Sequence, residues 1–440
     1  MGGTPTAVEA VRETVALARE RAQASGRPVI ASLALPASEA EPLALLEPPI
    51  AGWWREPGLE VAGAGAAVEI RATGPGRFED LSVALRSIFG DAAMAGRAPL
   101  ALIGAAFRDR EGTEAWEGFP SATAWIPQRS IIRDDEESWL VGATLVAAVD
   151  IDPEERLSHA LTASSLEVPT ATEFEDGGKF DTSDRHWRHA VRDTVKLIDG
   201  GGLEKAVLAR RYRIEGKHFS APALASHLSN QYPDCFGYAF VRNESAFAGA
   251  SPEPLVEVRG TDVRSVPEAG TVANDPDGDG LDSEKMRHEQ ALVVASVTES
   301  LRPWCSELHE GSTEKIEAGP VRHLATRIEG TLSRPAHLLE LAAALHPTPA
   351  VAGLPRDAAL EQIERVEQFE RGWYSGAVGA VDRDGNGTLA VALRGALMHP
   401  AGIDLFAGAG VVRGSEPEEE LEEVALKLRA ISTALNEGPA

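Results

Sequence analysis

Gly376-Ala-Val-Gly-Ala-Val381, Asp382-Arg-Asp-Gly-Asn-Gly387 and Thr388-Leu-Ala-Val-Ala-Leu-Arg-Gly-Ala-Leu-Met398 follow one another without a gap. Two β-prone runs joined by an Asp/Gly-rich turn read as an antiparallel hairpin. Ile403–Phe406 reads as the next strand. Upstream, Ala206–Tyr212, Phe236–Arg242, Ser245–Gly249 and Leu255–Arg259 read the same way, and residues 50–150 hold further short strand-like runs. Helical periodicity stands apart from these strands. It falls in the first 26 residues (Val8, Val11, Val15, Ala18), near 185–199 before Gly200-Gly-Gly, near 283–304 and near 417–436. Paired strands with segregated helices predict an α+β fold and argue against a doubly wound parallel sheet. Residues 166–186 are polar and Gly-containing and read as a linker. It separates a strand-rich, more variable N-terminal part, 1–180, from a motif-dense region, 181–440.

The 440 residues carry 68 acidic and 42 basic side chains, a net charge of -26. That balance argues against a nucleic-acid partner, which needs a basic face, and against docking on anionic lipid. No apolar run reaches the roughly 18–20 residues of a membrane span. The start has neither a basic n-region nor an apolar h-region. Cys235 and Cys305 form no CxxC pattern, so a reducing cytoplasm is the expected compartment.

Two motifs are set aside on spacing. Gly408-Ala-Gly410-Val-Val-Arg-Gly414 is GxGxxxG, and a glutamate-rich helix follows where a pyrophosphate would have to sit. Asp275–Gly280 and Asp382–Gly387 resemble the start of a calcium loop. Their twelfth positions are Met286 and Leu393 instead of a bidentate glutamate, so both read as Asp/Gly turns. The last helix holds more. Ser415 and Glu418 have capping-box spacing; Leu421, Val424, Leu428, Ile431 and Leu435 form an apolar stripe. Glu420, Glu423 and Lys427 share one face. Lys285 and Glu289 sit at i, i+4 on another helix start. Carboxylates on two helix starts suit a hard cation such as Mg²⁺, and they equally suit a helix dipole. Phe247-Ala-Gly-Ala-Ser251 and Phe406-Ala-Gly-Ala-Gly410 are near copies at strand ends, the first leading into Pro252 and Glu253. Lys205 precedes the apolar run Ala206-Val-Leu-Ala209. Buried there, a lysine becomes a general base; exposed, it is an ordinary edge residue.

In this order, Leu203–Arg210, Phe247–Glu253, Pro267-Glu-Ala-Gly-Thr271, Ser283–Glu289, His323–Thr326, His346–Ala350, Arg394, Phe406–Val411 and Glu420–Lys427 resemble the chorismate-utilising enzymes, and most nearly their isochorismate-forming branch. The set covers residues 203–427 densely. The resemblance implies one large chorismate-binding domain. Two antiparallel sheets pack face to face with helices outside, around a cleft lined by strands and helix starts. It implies Lys205 as the base that activates water and Glu253 as the acid. It implies Mg²⁺ on Glu289 and Glu423, with Glu420 holding a metal-bound water. Tyr374 and Arg394 would hold the enolpyruvyl carboxylate. Lys427 and the amides around Gly408 and Gly410 would receive the ring carboxylate, while Gly270, Thr271 and His323 would wall the substrate. Ala269 stands where aminodeoxychorismate synthases carry a nucleophilic lysine, so water is the implied nucleophile and no glutamine amidotransferase subunit is expected. Met286 and Gln290 depart from the residues common beside the metal glutamate.

The implied reaction adds water at C2 of chorismate while the C4 hydroxyl leaves and the ring double bonds shift, giving isochorismate. The product feeds menaquinone or siderophore synthesis. Water, with a pKa of about 15.7, needs a base, and a departing hydroxide needs an acid. A lysine of pKa about 10.4 would have to be lowered by roughly three units, about 4 kcal/mol. The alternative is a salicylate synthase, which goes on to expel pyruvate. In salicylate and anthranilate synthases the loop matching His346–Pro355 looks like Pro-x-x-Thr-x-x-Gly-x-Pro-Lys. Aligning Pro347, Gly353 and Pro355 puts Ala350 at the threonine and Arg356 at the lysine.

Overall fold

The computed structural model describes residues 6–37, 41–112, 114–135, 137–162, 178–215, 220–273, 280–318 and 321–436. Most of the expected linker and nearly all of the Asp275–Gly280 turn lie outside these ranges. One strand, Ala122–Asp134, decides the architecture. One of its edges pairs along its length with Leu59–Ala72. The other edge is shared: Ala122–Trp125 pairs with Ala101–Ala105, and Arg129–Arg133 pairs with Ser138–Val146.

The sheet forks there into two arms. One runs from Leu59–Ala72 through Ile50–Glu56, Phe236–Arg242, Ser245–Ser251, Gly395–His399 and Gly402–Val411 to Lys205–Glu215. The other runs from Ala101–Ala105 through Ala377–Val381, Gly387–Val391, Pro254–Arg259 and Asp262–Ser265 to Val321–Leu332. The expected α+β sandwich is present, and its two layers are arms of one hydrogen-bonded sheet. Among the described residues every pairing is antiparallel except Val29–Pro36 with Ala93–Ala95. Residues 1–180 and 181–440 interleave in it: Ile50–Glu56 pairs with Phe236–Arg242, and Ala101–Ala105 with Ala377–Val381.

The arms meet through buried apolar side chains of both: Trp54, Phe240, Phe247 and Phe406 from one, the smaller Leu102, Val378 and Ala390 from the other, closed by Trp373. The near copies are explained here. Phe247 and Phe406 both pack on Trp116, with ring centroids at 5.1 and 5.9 Å. Helices cover the outer faces, and the apolar stripe of the last helix, Val424, Leu428 and Ile431, is buried against them. Among the described residues no helix is long and apolar enough to cross a membrane.

Three local readings change. Thr388–Met398 is not one strand: it breaks between Gly387–Val391 and Gly395–His399, where Arg394 takes a left-handed φ of 49°. Cys305–Ala318 and Val321–Leu332 form a long hairpin that polar, exposed residues concealed. Ser415 does not cap the last helix, which begins at Pro417; the carbonyl of Glu416 accepts its first helical bond, from the amide of Glu420. The Asp382–Gly387 turn is an ordinary one, with the Asp382 carboxylate accepting from the amides of Asp384 and Asn386 at 2.8 Å each.

The core tolerates little added volume where the arms meet. A Cβ on Gly104 would lie 1.8 Å from Cη2 of the fully buried Trp373, whose indole N–H is tied to the carbonyl of Pro120 at 2.8 Å. Gly104→Val is expected to cost about 3 kcal/mol by overpacking. A lowered urea midpoint at unchanged slope checks this, and an unshifted midpoint would show that the arms can part.

Candidate active site

A single cavity collects residues that lie far apart in sequence, among them Glu253, Glu268, Gly270, Thr271, Glu289, His323, Tyr374, Arg394, Gly408, Gly410, Glu423 and Lys427. Two predicted residues are not in its wall. Lys205 and Glu420 are 1% exposed each and lie outside the lining, and Lys205 reaches it through its partner Glu289.

Lys205 opens the strand Lys205–Glu215, which pairs with Gly402–Val411 on one side and with Gly353–Leu354 on the other. It is therefore an interior lysine and not an edge one. Its Nζ lies 2.9 Å from Oε1 of Glu289. Glycine at 410 is what permits this pair. A Cβ there would sit 2.1 Å from that oxygen and 3.2 Å from Cε of Lys205.

Glu289 comes from the helix Glu284–Leu301, whose N-cap Ser283 accepts from the amide of Met286 at 3.3 Å. The two departures from the family pattern have structural roles. Gln290 donates to the carbonyl of Pro267 (3.0 Å) and to Thr326 (2.9 Å), which fastens the strand Glu268–Ala273 to that helix. Met286 packs over Gly270. From the facing helix, Pro417–Asn436, Glu423 pairs with Lys427 at 2.7 Å and Glu420 with Lys285 at 2.8 Å. Lys427 also donates to the carbonyl of Gly408 at 3.1 Å.

Arg394 reaches the cavity because of the break in its strand. The left-handed turn at Arg394 swings the guanidinium inward, and Ser375 opposite has φ 61°. Strain of this kind, about 1–3 kcal/mol per residue, persists only where the surroundings impose it. Here the amide of Ala250 holds the carbonyl of Arg394 at 3.3 Å, and Tyr238 holds that of Leu393 at 2.9 Å. Nη2 of Arg394 meets Nε2 of His323 at 3.1 Å. A guanidinium only donates, so Nε2 accepts and the ring proton sits on Nδ1, 3.1 Å from Oγ1 of Thr271. Nη1 of Arg394 is buried and has no partner among the described residues.

Burial sets the protonation states. It pushes Glu253 well above the carboxylate range, helped by Glu268 and opposed by Lys205, Lys427 and the backbone N–H of Glu268. It raises Glu268 to about 7 against Arg394 and Lys427. It raises Glu420 to about 7, with Glu423 adding and Lys285 opposing. Burial holds His323 far below its usual value, and the positive charges of Arg394 and Lys427 push the same way, so the ring is neutral. Burial also lifts the Tyr374 phenol, which stacks on Phe406 at 5.0 Å. For Lys427, burial opposes the charge, but Glu423 and Glu289 outweigh it and the ammonium is stabilised.

Among the described residues no three His, Cys, Asp or Glu side chains converge as a ready cage for a cation. Glu289 and Glu423 instead offer a pair in one cavity wall. Two carboxylates with open positions left for water and substrate oxygens are a donor set that fits Mg²⁺. Glu268 was missed by sequence reasoning, because Pro267-Glu-Ala-Gly-Thr271 drew attention to its glycine and threonine. Simple strand alternation would not have found it, because the pairing with Val321–Leu332 shifts register at Gly270, whose φ is 66°.

A family profile described as "Chorismate binding enzyme" matches residues 16–436. The salicylate biosynthesis isochorismate synthase of Pseudomonas aeruginosa is 31% identical over 98% of this chain and 95% of its own length. The isochorismate synthase DhbC of Bacillus subtilis is 38% identical over 57% of this chain and 67% of its own. The solved structure of the menaquinone-specific isochorismate synthase MenF of Escherichia coli shares the fold. Its TM-score is 0.80 at 24% identity, covering 96% of this chain and all of that one.

Glu268 yields a pH test that needs no substrate. It binds its proton more tightly folded, at about 7, than its ordinary 4.5. Its contribution is full below the unfolded value and is lost as pH rises to the folded one. The gap corresponds to at most about 3 kcal/mol. Glu268→Gln is expected to lose less stability than wild type between about pH 5 and about pH 8. His346 and His337, lowered by burial to about 3 and about 4, act in the opposite sense but are common to both proteins. Urea titrations at the two pH values check this, and parallel losses in the two proteins would contradict it.

Proposed function

This chain belongs to the chorismate-binding enzyme family, and we propose that it interconverts chorismate and isochorismate by adding water at C2 with loss of the C4 hydroxyl. One observation carries the reading: a carboxylic acid held neutral by burial, Glu253, feels the charge of a buried lysine, Lys205, just behind a cavity that is also lined by Arg394, whose Nη1 has no partner among the described residues.

The substrate is a dicarboxylate. Arg394 Nη1 and the Tyr374 phenol, both of residues lining the cavity, receive the enolpyruvyl carboxylate. His323 keeps its neutral Nε2 on Arg394 and so aims the guanidinium. Lys427 and the amides around Gly408 and Gly410 receive the ring carboxylate. Glu253 then donates its proton to the C4 oxygen, which leaves as water. Lys205, as the uncharged amine and not as the ammonium of its ion pair, takes a proton from the water that attacks C2 beside Glu289. The neutral acid is essential to this scheme, because an ionised Glu253 could neither donate nor tolerate the dianion. Gly270 and Thr271 close the wall. Glu289 and Glu423 would hold Mg²⁺, with Glu420 behind them. When bound, the ion supplies positive charge where the ring carboxylate meets the acidic wall. The two cysteines, Cys235 buried and Cys305 half-buried, are unpaired and fit a reducing cytoplasm.

The test is product analysis of chorismate incubated with the protein and Mg²⁺. Isochorismate is expected, with almost no pyruvate in a coupled lactate dehydrogenase assay. Ala350 lines the cavity and offers no hydrogen-bond donor to fold the enolpyruvyl group over the ring. Ala350→Thr is expected to raise the pyruvate fraction. Stoichiometric pyruvate from the wild type would favour a salicylate synthase. An unchanged ratio in Ala350→Thr would remove that residue from the explanation.

The cation is tested separately. Glu289→Gln and Glu423→Gln should each weaken Mg²⁺ binding by at least about tenfold in calorimetry, since a two-carboxylate site has no ligand to spare. Excess chelator should silence the wild type. Full activity in chelator would overturn the metal assignment.

A further inference from the structure

We propose that Glu268 is a positioning residue for the general acid: it forms a carboxyl pair with Glu253 in which Glu268 carries the charge and Glu253 keeps the proton. The proposal rests on the reading of Glu253 as the acid and adds the group that keeps it poised.

The geometry comes from a rigid strand. The carbonyl of Pro267 is held from two sides, by Gln290 at 3.0 Å and by the amide of Thr326 at 3.3 Å. The next residue is Glu268. The Glu253 carboxyl feels both the backbone N–H of Glu268, which favours its charged form, and the Glu268 carboxyl, which favours its neutral form. Both are buried, 3% and 8% exposed, and both line the same cavity. The Glu268 carboxyl has no hydrogen bond or ion pair among the described residues, so no partner fixes its protonation state. Two like carboxyls so placed do not both ionise in a low dielectric.

The surrounding charges decide which one does. Glu268 feels Arg394, from the strand break, and Lys427, from the last helix. On the neighbouring strand His323 is neutral, and Glu289 and Glu423 each already face a lysine. Cys235 lies near it, lifted to about 11 by burial and thus a thiol. Glu253 is the more deeply buried, with Lys205 and Lys427 as its cations. Glu268 therefore ionises first, and its charge then opposes loss of the proton from Glu253. The C4 hydroxyl meets a protonated acid over a wider pH range than burial alone would give.

The experiment is the pH profile of kcat for the full chain with saturating chorismate and Mg²⁺. Wild type, Glu268→Gln, Glu268→Asp and Glu253→Gln are compared. In Glu268→Gln the alkaline limb is expected to move down by about one pH unit or more, the coupling of close carboxyls. Glu268→Asp, which keeps the charge, should restore the limb toward wild type. A residue that only supports the strand would lower the whole profile and leave the limb in place. That outcome, with Glu253→Gln inactive, overturns the pairing and leaves the acid assignment standing. An active Glu253→Gln overturns the acid assignment itself. Should Glu268→Gln melt below the assay temperature, Glu268→Leu removes the same charge and reads the same limb.

Discussion

Three lysine–glutamate pairs hold the site together. Lys205 with Glu289 ties a strand to a helix, Lys285 with Glu420 ties that helix to the last one, and Lys427 with Glu423 lies along the last helix beside Gly408. The chain has only seven lysines, so three of them meet in this one place. Each glutamate would be costly to bury alone, and so would each lysine. Breaking a buried pair typically costs about 3–5 kcal/mol because it strands the other charge. The close approach of strand and helix follows from the pairs, and so does the glycine at 410, whose missing side chain gives Glu289 its place.

The same economy of charge resolves a conflict in the composition. A protein of net charge -26 is a poor host for a dianion. The cavity departs from that average because its acids are paired with lysines or raised by burial, and Glu268 alone is left to carry a charge, opposite Arg394 and Lys427. Glu253, Glu268 and Glu420 are raised by burial, and Glu289 and Glu423 are matched by lysines. Lys427 stays charged, and Arg394 keeps a nitrogen free of any partner among the described residues. The surface carries the negative charge, and the cavity does not repeat it.

Much of this was legible in the chain. The hairpins, the segregated helices and the face shared by Glu420, Glu423 and Lys427 follow from periodicity. The site residues could be named because their motifs recur in order. What stayed hidden depends on long-range packing. The fork at Ala122–Asp134 lies in the partners of a strand, and sequence shows only the strand. The hairpin Cys305–Leu332 is mostly exposed at its edge and has no apolar alternation to reveal it. The break at Ala392–Arg394 sits in an unbroken apolar run and carries no glycine at its left-handed residue. Ser415 had the right spacing for a cap, but Pro417 sets the start of the helix, and the Ser415 hydroxyl accepts from the amide of Val412 at 3.1 Å instead. Glu268 lacked a motif of its own, and only the cavity shows that it faces Glu253.

In the proposed reaction solvent water, activated by Lys205, becomes the C2 hydroxyl while the C4 oxygen departs with the Glu253 proton. Turnover of chorismate in ¹⁸O-labelled water, with mass spectrometry of the isochorismate formed, tests this most directly. One solvent oxygen is expected in the product, located at C2, with loss of the original C4 oxygen. Isochorismate that retains the substrate's own oxygen would mean that the hydroxyl migrates within the molecule, and the roles given to Lys205 and Glu253 would fall with it.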